Sequence, residues 1–481
     1  MKKHTGSEQH ASHLSRRHFI RTGALTIPVL AAGLGHTGRA GRPRLGSQEN
    51  LDEPGRNIPL HEDADVIVCG GGPAGIAAAI TAARAGARTR LFEVHGCLGG
   101  VWTAGLLSYV FDFDKPGLTS ELKEKLDERD ARRSDHPSRF VYEPEEMKLL
   151  VEALCLDAGV NILLQTRVVA AYTEDRRLTT IVTESKSGRQ AWRAPVFIDA
   201  TGDGDLGALA GCAWDTGIKD GCPCQPLTLN ALAMVKDASR MGKYISFFEG
   251  DDNWHREATE NLLAEIHRAG MDPSYAMPTL FRARDNLLLV MVNHEYNIKA
   301  YDAEAVTAAT LRARAEVSGI IRALNGLGGV WEGMRMVASA EQIGVRDGRR
   351  IHGLYTVSRE DLVNGTRHPD GVARATFNVD IHAADREANR DETISTGGIT
   401  VKPYDIPLRA LIARDVDGMM MAGRCISGDF VAHASYRVTG NAVAMGEAAG
   451  AVASIAAERR CLPQEVAWSA AADLLEGMGQ R

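Results

Sequence analysis

The stretch that decides the fold runs from Asp63 to Glu93, DADVIVCGGGPAGIAAAITAARAGARTRLFE. Val66 to Cys69 is a short apolar run of the kind a buried parallel strand requires. Gly70-x-Gly72-x-x-Gly75 follows at once, with Pro73 and Ala74 inside the loop. Ile76 to Ala85 is small, Ala-rich and helical, and Arg88 to Phe92 reads as a second strand closed by Glu93. Gly70 permits a tight turn, Gly72 lets a pyrophosphate approach the backbone, and Gly75 lets helix and strand pack closely. The helix start offers free N–H groups and a positive dipole end to that phosphate. Glu93, 23 residues after Gly70, is spaced to accept hydrogen bonds from a ribose diol. The bare glycine pattern is weak evidence, but strand, glycines, helix, strand and closing acid in one span are specific.

Such an acid suits the ribose of NAD or of FAD, and the residues after it decide between them. Gly96-Cys97-Leu98-Gly99-Gly100-Val101-Trp102-Thr103 supplies a second glycine turn. Here the chain resembles the FAD-dependent oxidoreductases with a GCLGG-x-x-T-x-G turn after the first βαβ unit. Three later stretches resemble the same family in the same order. They are VFIDATGDGDLGALAG (196–211), AEQIGVRDGRRIHGLY (340–355) and MMMAGRCISGDFVAHASYRVTGNAVAMGEAAGAVASIA (419–456). The resemblance implies an α/β fold: a Rossmann-like FAD-binding domain of the glutathione-reductase type with an inserted α+β cap or substrate domain. It implies FAD as cofactor. To Gly70, Gly72, Pro73, Ala74, Gly75 and Glu93 it adds Gly99, Gly100, Thr103, Val168, Ala200, Thr201, Gly202, Gly423, Arg424 and Asn441 as cofactor-binding residues. It also implies that the helix over Ala442–Ala457 starts at the flavin N1–C2=O edge, where a positive dipole end stabilises developing negative charge.

Two features are decoys. Gly202-x-Gly204-x-x-Gly207 fits the fingerprint, but no second strand with a closing acid follows, so it belongs to the family's ATG turn. Cys97 stands where disulfide reductases carry a redox cysteine, yet the partner position five residues on is Trp102. Cys97 is therefore expected to pack beside the flavin.

The expected layout is interleaved: residues 63–215 give the first part of the FAD domain, 216–400 the cap, and 401–465 the second part, ahead of a tail at 466–481. Within it we expect a helix over 144–158 and strands in ILLQTRVVAAYT and LTTIVTE. The cap should hold a strand over 286–297, a helix over 302–325 and a short strand at Phe377–Asp380. Residues 41–62 read as a linker.

Residues 1–40 read as a leader. SRRHFIRTGALTIPVLAAGLG (15–35) places Arg16 and Arg17 before an apolar run shorter than a membrane span's roughly 20 residues, with a cleavage site near Ala40. The arginine pair points to the twin-arginine route, whose cargo is already folded, and so to a periplasmic or extracellular protein. The export machinery is then a partner. No later stretch is long and apolar enough to form a transmembrane segment.

The chain carries 55 Lys and Arg against 62 Asp and Glu, and most of the leader's charges are basic, so the remainder is more acidic still. An acidic body repels a phosphate backbone, and nucleic acid is not an expected partner. The eight cysteines have no disulfide-framework spacing, and Cys222-Pro-Cys224, the one close pair, fits two ordinary thiols or one disulfide; no metal site is expected.

Hydride transfer to a flavin asks the protein for a proton acceptor, cations to orient a substrate and a dry pocket. His433 suits the proton and Arg437 a carboxylate or oxyanion, with a packing histidine as the rival reading of His433. Of Arg346, Arg349 and Arg350, one is expected to face the site, taken as Arg346; His294 is the further candidate, with a structural role as its rival. The expected function is hydride transfer from a small polar substrate to flavin N5, with electrons passed to oxygen or to an external respiratory carrier. Two alternatives stand beside it: reduction of an activated double bond fed by an external donor, and a flavin-bearing binding protein without turnover.

Overall fold

The computed structural model describes residues 51, 53, 55–133, 140–218, 224–248, 255–391 and 394–480. The expected leader and most of the linker lie outside these residues.

Val66–Cys69, Thr89–Phe92, Asn161–Leu163, Val196–Asp199 and Met419–Met421 form one parallel sheet. Its order across the sheet is Met419–Met421, Val196–Asp199, Val66–Cys69, Thr89–Phe92, Asn161–Leu163. The three central and edge strands from Val66, Val196 and Met419 are buried along their whole length, which their continuous apolar runs require of a sheet covered on both faces. On one face lie the helices Pro73–Arg84 and Thr439–Arg459. They approach so closely that a Cβ on Gly446 would stand 2.2 Å from the Ala74 carbonyl oxygen, and one on Gly450 would stand 2.4 Å from that of Ala78. An antiparallel meander, Arg167–Glu174, Arg177–Ser185 and Gly188–Arg193, packs Trp192 against Phe92 at 5.1 Å between ring centroids.

Between Val196–Asp199 and Met419–Met421 the chain leaves this sheet and builds a second one. It is antiparallel, in the order Thr279–Arg284, Leu287–Met291, Ala231–Met234, Arg335–Ser339. The helices His255–Arg268 and Ala303–Gly326 give it a hydrophobic core of its own through Leu262, Ile266, Ile320 and Leu324. Asp302 caps the long helix, its carboxylate accepting from Ala305 N at 3.0 Å. Residues 57–481 nevertheless cluster as one compact unit.

Local expectations fare unevenly. The helix expected over 302–325 runs from Ala303 to Gly326, and that over 144–158 from Pro144 to Asp157. The strand expected over 286–297 stops at Met291, so His294 and Glu295 leave the sheet; there Leu227 and Glu295 exchange two backbone hydrogen bonds of 2.9 Å. Phe377–Asp380 is not a strand but the lead-in to the two-residue strand Ile381–His382. The run 162–173 divides between two sheets, turning at Gln165 with φ 52°.

Candidate functional site

The parallel strands end at one edge, and a cavity of about 910 Å³ opens there, continuing beneath the second sheet. At one end stand Gly70, Gly72, Pro73, Ala74, Glu93 and Val168. The three glycines behave differently. Gly70 has φ 101° and lies against the Ala200 carbonyl, which a Cβ would meet at 2.4 Å. A Cβ on Gly75 would meet the Gly70 carbonyl oxygen at 1.7 Å, so no side chain fits between helix and loop. Gly72 faces open space, with nothing within 4 Å of a Cβ. It is also the N-cap of Pro73–Arg84 and carries no side-chain cap, so first-turn N–H groups stay available to an anion. Glu93 is buried, its two oxygens accepting from Gly71 N at 2.6 Å and His95 N at 2.8 Å. The carboxylate thus ties the glycine loop to the strand end and keeps unused lone pairs on the cavity wall.

The second glycine turn lies across the first. Gly99 N donates to Gly71 O at 2.8 Å, and Gly100, at φ 53°, would bring a Cβ within 2.9 Å of Gly72 Cα. Only Gly100 of this turn faces the cavity among its expected contacts. Gly99 and Thr103 are behind it: the Thr103 hydroxyl donates to Leu98 O at 2.5 Å, bracing the turn from the protein side. Cys97 is buried and free, and it too lies off the cavity, its thiol pushed up by burial. Gly75 is likewise withdrawn by its contact with Gly70.

Midway, Ala200, Thr201, Gly202, Gly423 and Arg424 line the wall. Asp199 anchors this turn, accepting from Thr201 N, Thr201 Oγ1 and Gly207 N at 3.0, 2.7 and 2.8 Å. Burial raises its carboxyl to about 6. Arg424 Nη2 donates to Asp203 Oδ1 at 2.8 Å and lies over Gly202, where a Cβ would be 2.7 Å away. Asn441 is fully buried one residue behind the cavity wall, between lining residues Thr439 and Ala442, and its amide has no hydrogen-bond partner among the described residues.

The far end lies mostly in the cap, joined by Arg437 from the second part of the FAD domain. Tyr275, Arg346, Asp380, His382 and Arg437 converge there. Arg437 Nη2 donates to Asp380 O at 2.8 Å and Asp380 Oδ2 at 3.1 Å, and His382 Nε2 is 3.3 Å from the same oxygen. Burial works against the Asp380 charge, but His382, Arg437 and Arg346 hold the carboxyl well below the usual range. Burial, reinforced by Arg346, brings His382 down to about 4. With Asp380 ionised and His382 neutral, Nε2 carries the hydrogen and the lone pair stays on Nδ1.

Two expected catalytic residues do not face the cavity. His433 is fully buried on the helix Phe430–Tyr436, perpendicular to Tyr436, and among the described residues neither ring nitrogen has a well-formed hydrogen bond; burial, with Arg350 and Arg437 near, holds it neutral. His294 lies behind Tyr275, 3.9 Å between ring centroids, and 5.0 Å from His382. Burial first, then Arg346, keeps it neutral. Of the three arginines, Arg346 and Arg349 both line the cavity, whereas Arg350 is buried against Asp347 at 2.8 Å. The sequence reading missed Tyr275, Asp380 and His382. Asp380-x-His382 puts an acid and a histidine two residues apart, the single local signal for them; Tyr275 carries none.

Among the described residues, no group of three or more His, Cys, Asp or Glu is placed to hold a metal, and no helix is long and apolar enough to cross a membrane. Cys224 is disulfide-bonded, six other cysteines are free, and Cys222 lies outside the described residues.

Residues 65–475 match the family described as FAD dependent oxidoreductase. The chain belongs to that family. FAD is its cofactor, and the open Gly72 cradle beside an uncapped helix start fits the pyrophosphate of such a group. As a member of this oxidoreductase family the protein is an enzyme, which sets aside the reading as a binding protein without turnover. Two thiamine thiazole synthases are similar over a shorter region. That of Pyrococcus abyssi is 30% identical over 129 residues, 26% of this chain and 49% of its own length. That of Methanothermobacter thermautotrophicus is 29% identical over 150 residues, 29% of this chain and 56% of its own. The chain therefore spans about half the length of the curated relatives it matches. A geranylgeranyl bacteriochlorophyll reductase-like protein from Thermoplasma acidophilum superposes with a TM-score of 0.44 at 14% identity, covering 88% of this chain and 85% of that one.

Proposed function

We propose that this protein is an exported FAD-dependent oxidoreductase of the glutathione-reductase-type fold that takes a hydride from a small organic substrate. The observation that carries the reading is a single cavity joining the glycine loop to the corner formed by Tyr275, Arg346, Asp380, His382 and Arg437. Bound FAD supplies a hydride acceptor at N5.

The chain's own residues would do the rest. Gly70, Gly72, Pro73, Ala74 and Gly100 would hold the pyrophosphate, and Glu93 the adenosine ribose. Ala200, Thr201, Gly202, Gly423 and Arg424 would hold the rest of the cofactor. Asn441, at the start of the helix Thr439–Arg459, would reach the cofactor only through a local shift of its amide, which is unpartnered among the described residues. His382 Nδ1 would take the proton that leaves the substrate, and Asp380 would fix the ring and stabilise the imidazolium that forms. Arg437, tied to Asp380, would hold the pair in place. Electrons would then pass to oxygen or to an external respiratory carrier.

The test is the visible spectrum of purified protein, without oxygen, before and after sugars, polyols, hydroxy acids and amines. Bleaching of the flavin bands by one class is the expected result. A flavin that stays oxidised with every class, yet is rapidly reoxidised by an unsaturated acid after dithionite reduction, would replace this reading with the reductase.

A further inference from the structure

Four partly buried arginines line the cavity, and three have a carboxylate partner. Arg349 pairs with Asp205 at 2.9 Å, Arg424 with Asp203 at 2.8 Å, and Arg437 with Asp380 at 3.1 Å. Arg346 has none among the described residues. Its Nη1 donates to Pro226 O at 2.9 Å and Thr228 Oγ1 at 2.7 Å, and its Nη2 and Nε make no hydrogen bond there. Burial, with Arg437 beside it, drags the guanidinium down to about 10. A half-buried cation on a cavity wall without an acid is costly, and a structure retains one where something else completes it.

The surroundings define what completes it. Tyr275 also lines the cavity, and its hydroxyl has no partner among the described residues. Burial raises that phenol, so it remains a donor. Asp380 is already engaged by Arg437 and His382. His382 and His294 are neutral, for the reasons given above. Two guanidinium groups thus face one carboxylate, and the corner lacks one negative charge. Beyond it the wall is apolar. Phe111 lies 5.2 Å from Phe377 and 4.6 Å from Tyr109, which lies 4.8 Å from Phe281, all measured between ring centroids. Phe377 is three residues from Asp380, so the aromatic wall and the charged corner are continuous along one segment.

We propose that Arg346 and Tyr275 form a seat for a single carboxylate, and that the substrate is a carboxylic acid whose body is an apolar ring or chain of similar breadth lying on the Tyr109–Phe111–Phe281–Phe377 wall. A guanidinium with two free nitrogens matches a carboxylate fork, and one negative charge neutralises the corner where a phosphate dianion would overshoot it. The term substrate rests on the hydride-transfer reading; the seat does not.

The test uses the flavin-loaded protein. Benzoate, benzamide and acetate are titrated in turn, with the flavin difference spectrum and the heat of binding as readouts. Benzoate is expected to bind about tenfold or more tighter than benzamide, which lacks the charge, and than acetate, which lacks the ring. R346Q is expected to lose that preference while leaving benzamide unchanged. Benzamide binding as tightly as benzoate to the unaltered protein overturns the seat, whether or not R346Q folds; so does an R346Q protein that keeps its preference for benzoate. If benzoate binds as expected but no carboxylic acid reduces the flavin, the seat stands and the hydride-donor reading fails. If a neutral compound reduces the flavin and benzoate does not bind, the reverse holds.

Discussion

Gly72 and Gly75 are three residues apart in one motif and do opposite work. Gly75→Ala would drive a Cβ to 1.7 Å from Gly70 O, into backbone that cannot yield. We expect a loss of about 1–3 kcal/mol or more in stability, together with flavin retention, read by thermal melts and by the ratio of flavin to protein absorbance. At Gly72, φ −74° and ψ −174° suit any residue, and the Cβ meets open space. Gly72→Ala should leave the melt of flavin-free protein within about 0.5 kcal/mol. It should still weaken FAD, because the methyl enters the pyrophosphate cradle; equal flavin affinity in the two proteins would remove the cradle from Gly72. His382 gives a prediction of a different kind. Its neutral form persists down to about 4. The rate of flavin reduction by substrate should therefore hold constant well below pH 6 and fall as pH drops through about 4, and Asp380→Asn should move that limb. A limb near 6.5 that is insensitive to Asp380→Asn would assign the proton to another group. At this scale the sequence was a partial guide. Glycines betray themselves because their missing side chain is the signal. Tyr275, Asp380 and His382 are ordinary residue types in irregular chain, and only their convergence gives them meaning.

The helix Thr439–Arg459 is the element on which the flavin domain closes. Its small residues were legible as a helix and as a packing face, and the structure adds what they pack against. Gly450 presses on Ala78, whereas Gly477, in the terminal helix, has nothing within 4 Å of a Cβ. Gly450→Ala should lower the melting midpoint, while Gly477→Ala should raise stability by about 0.4–1 kcal/mol. The same long helix carries Glu447, whose Oε1 accepts from Leu118 N at 2.8 Å where the helix Leu118–Glu128 begins. Burial raises this carboxyl to about 8 from an ordinary 4.5. The folded protein then holds a proton between those values that the unfolded chain has released. Its contribution is complete below about 4.5 and lost as pH rises through 8. Melting midpoints of wild type and Glu447→Gln should converge at low pH and separate toward pH 8, with the wild type falling. The cap strand shows the opposite case. Its apolar run predicted a strand to residue 297, but pairing ends at Met291, because the exchange of backbone bonds between Glu295 and Leu227 takes the chain elsewhere.

At the scale of the whole molecule, a leader for folded cargo would fix the order of loading and export. A cofactor enclosed between interleaved segments would be loaded as the chain folds, and a route for folded cargo would suit it. Replacing Arg16 and Arg17 with Lys should keep flavin-loaded protein in the cytoplasm; undiminished export on fractionation would remove the twin-arginine reading. The sequence by itself determined the nucleotide loop, because backbone approach and glycine spacing within about thirty residues suffice for it, while the family and FAD followed from four motifs in the expected order along residues 96–456. Only the tertiary structure decided the chemistry at the far end of the cavity. It turned His433 and His294 inward among buried rings and arginines. It brought Tyr275, Arg346, Asp380 and Arg437 together from positions up to 162 residues apart. A charge balance among such residues is a property of three-dimensional neighbours, and no local pattern in the chain records it.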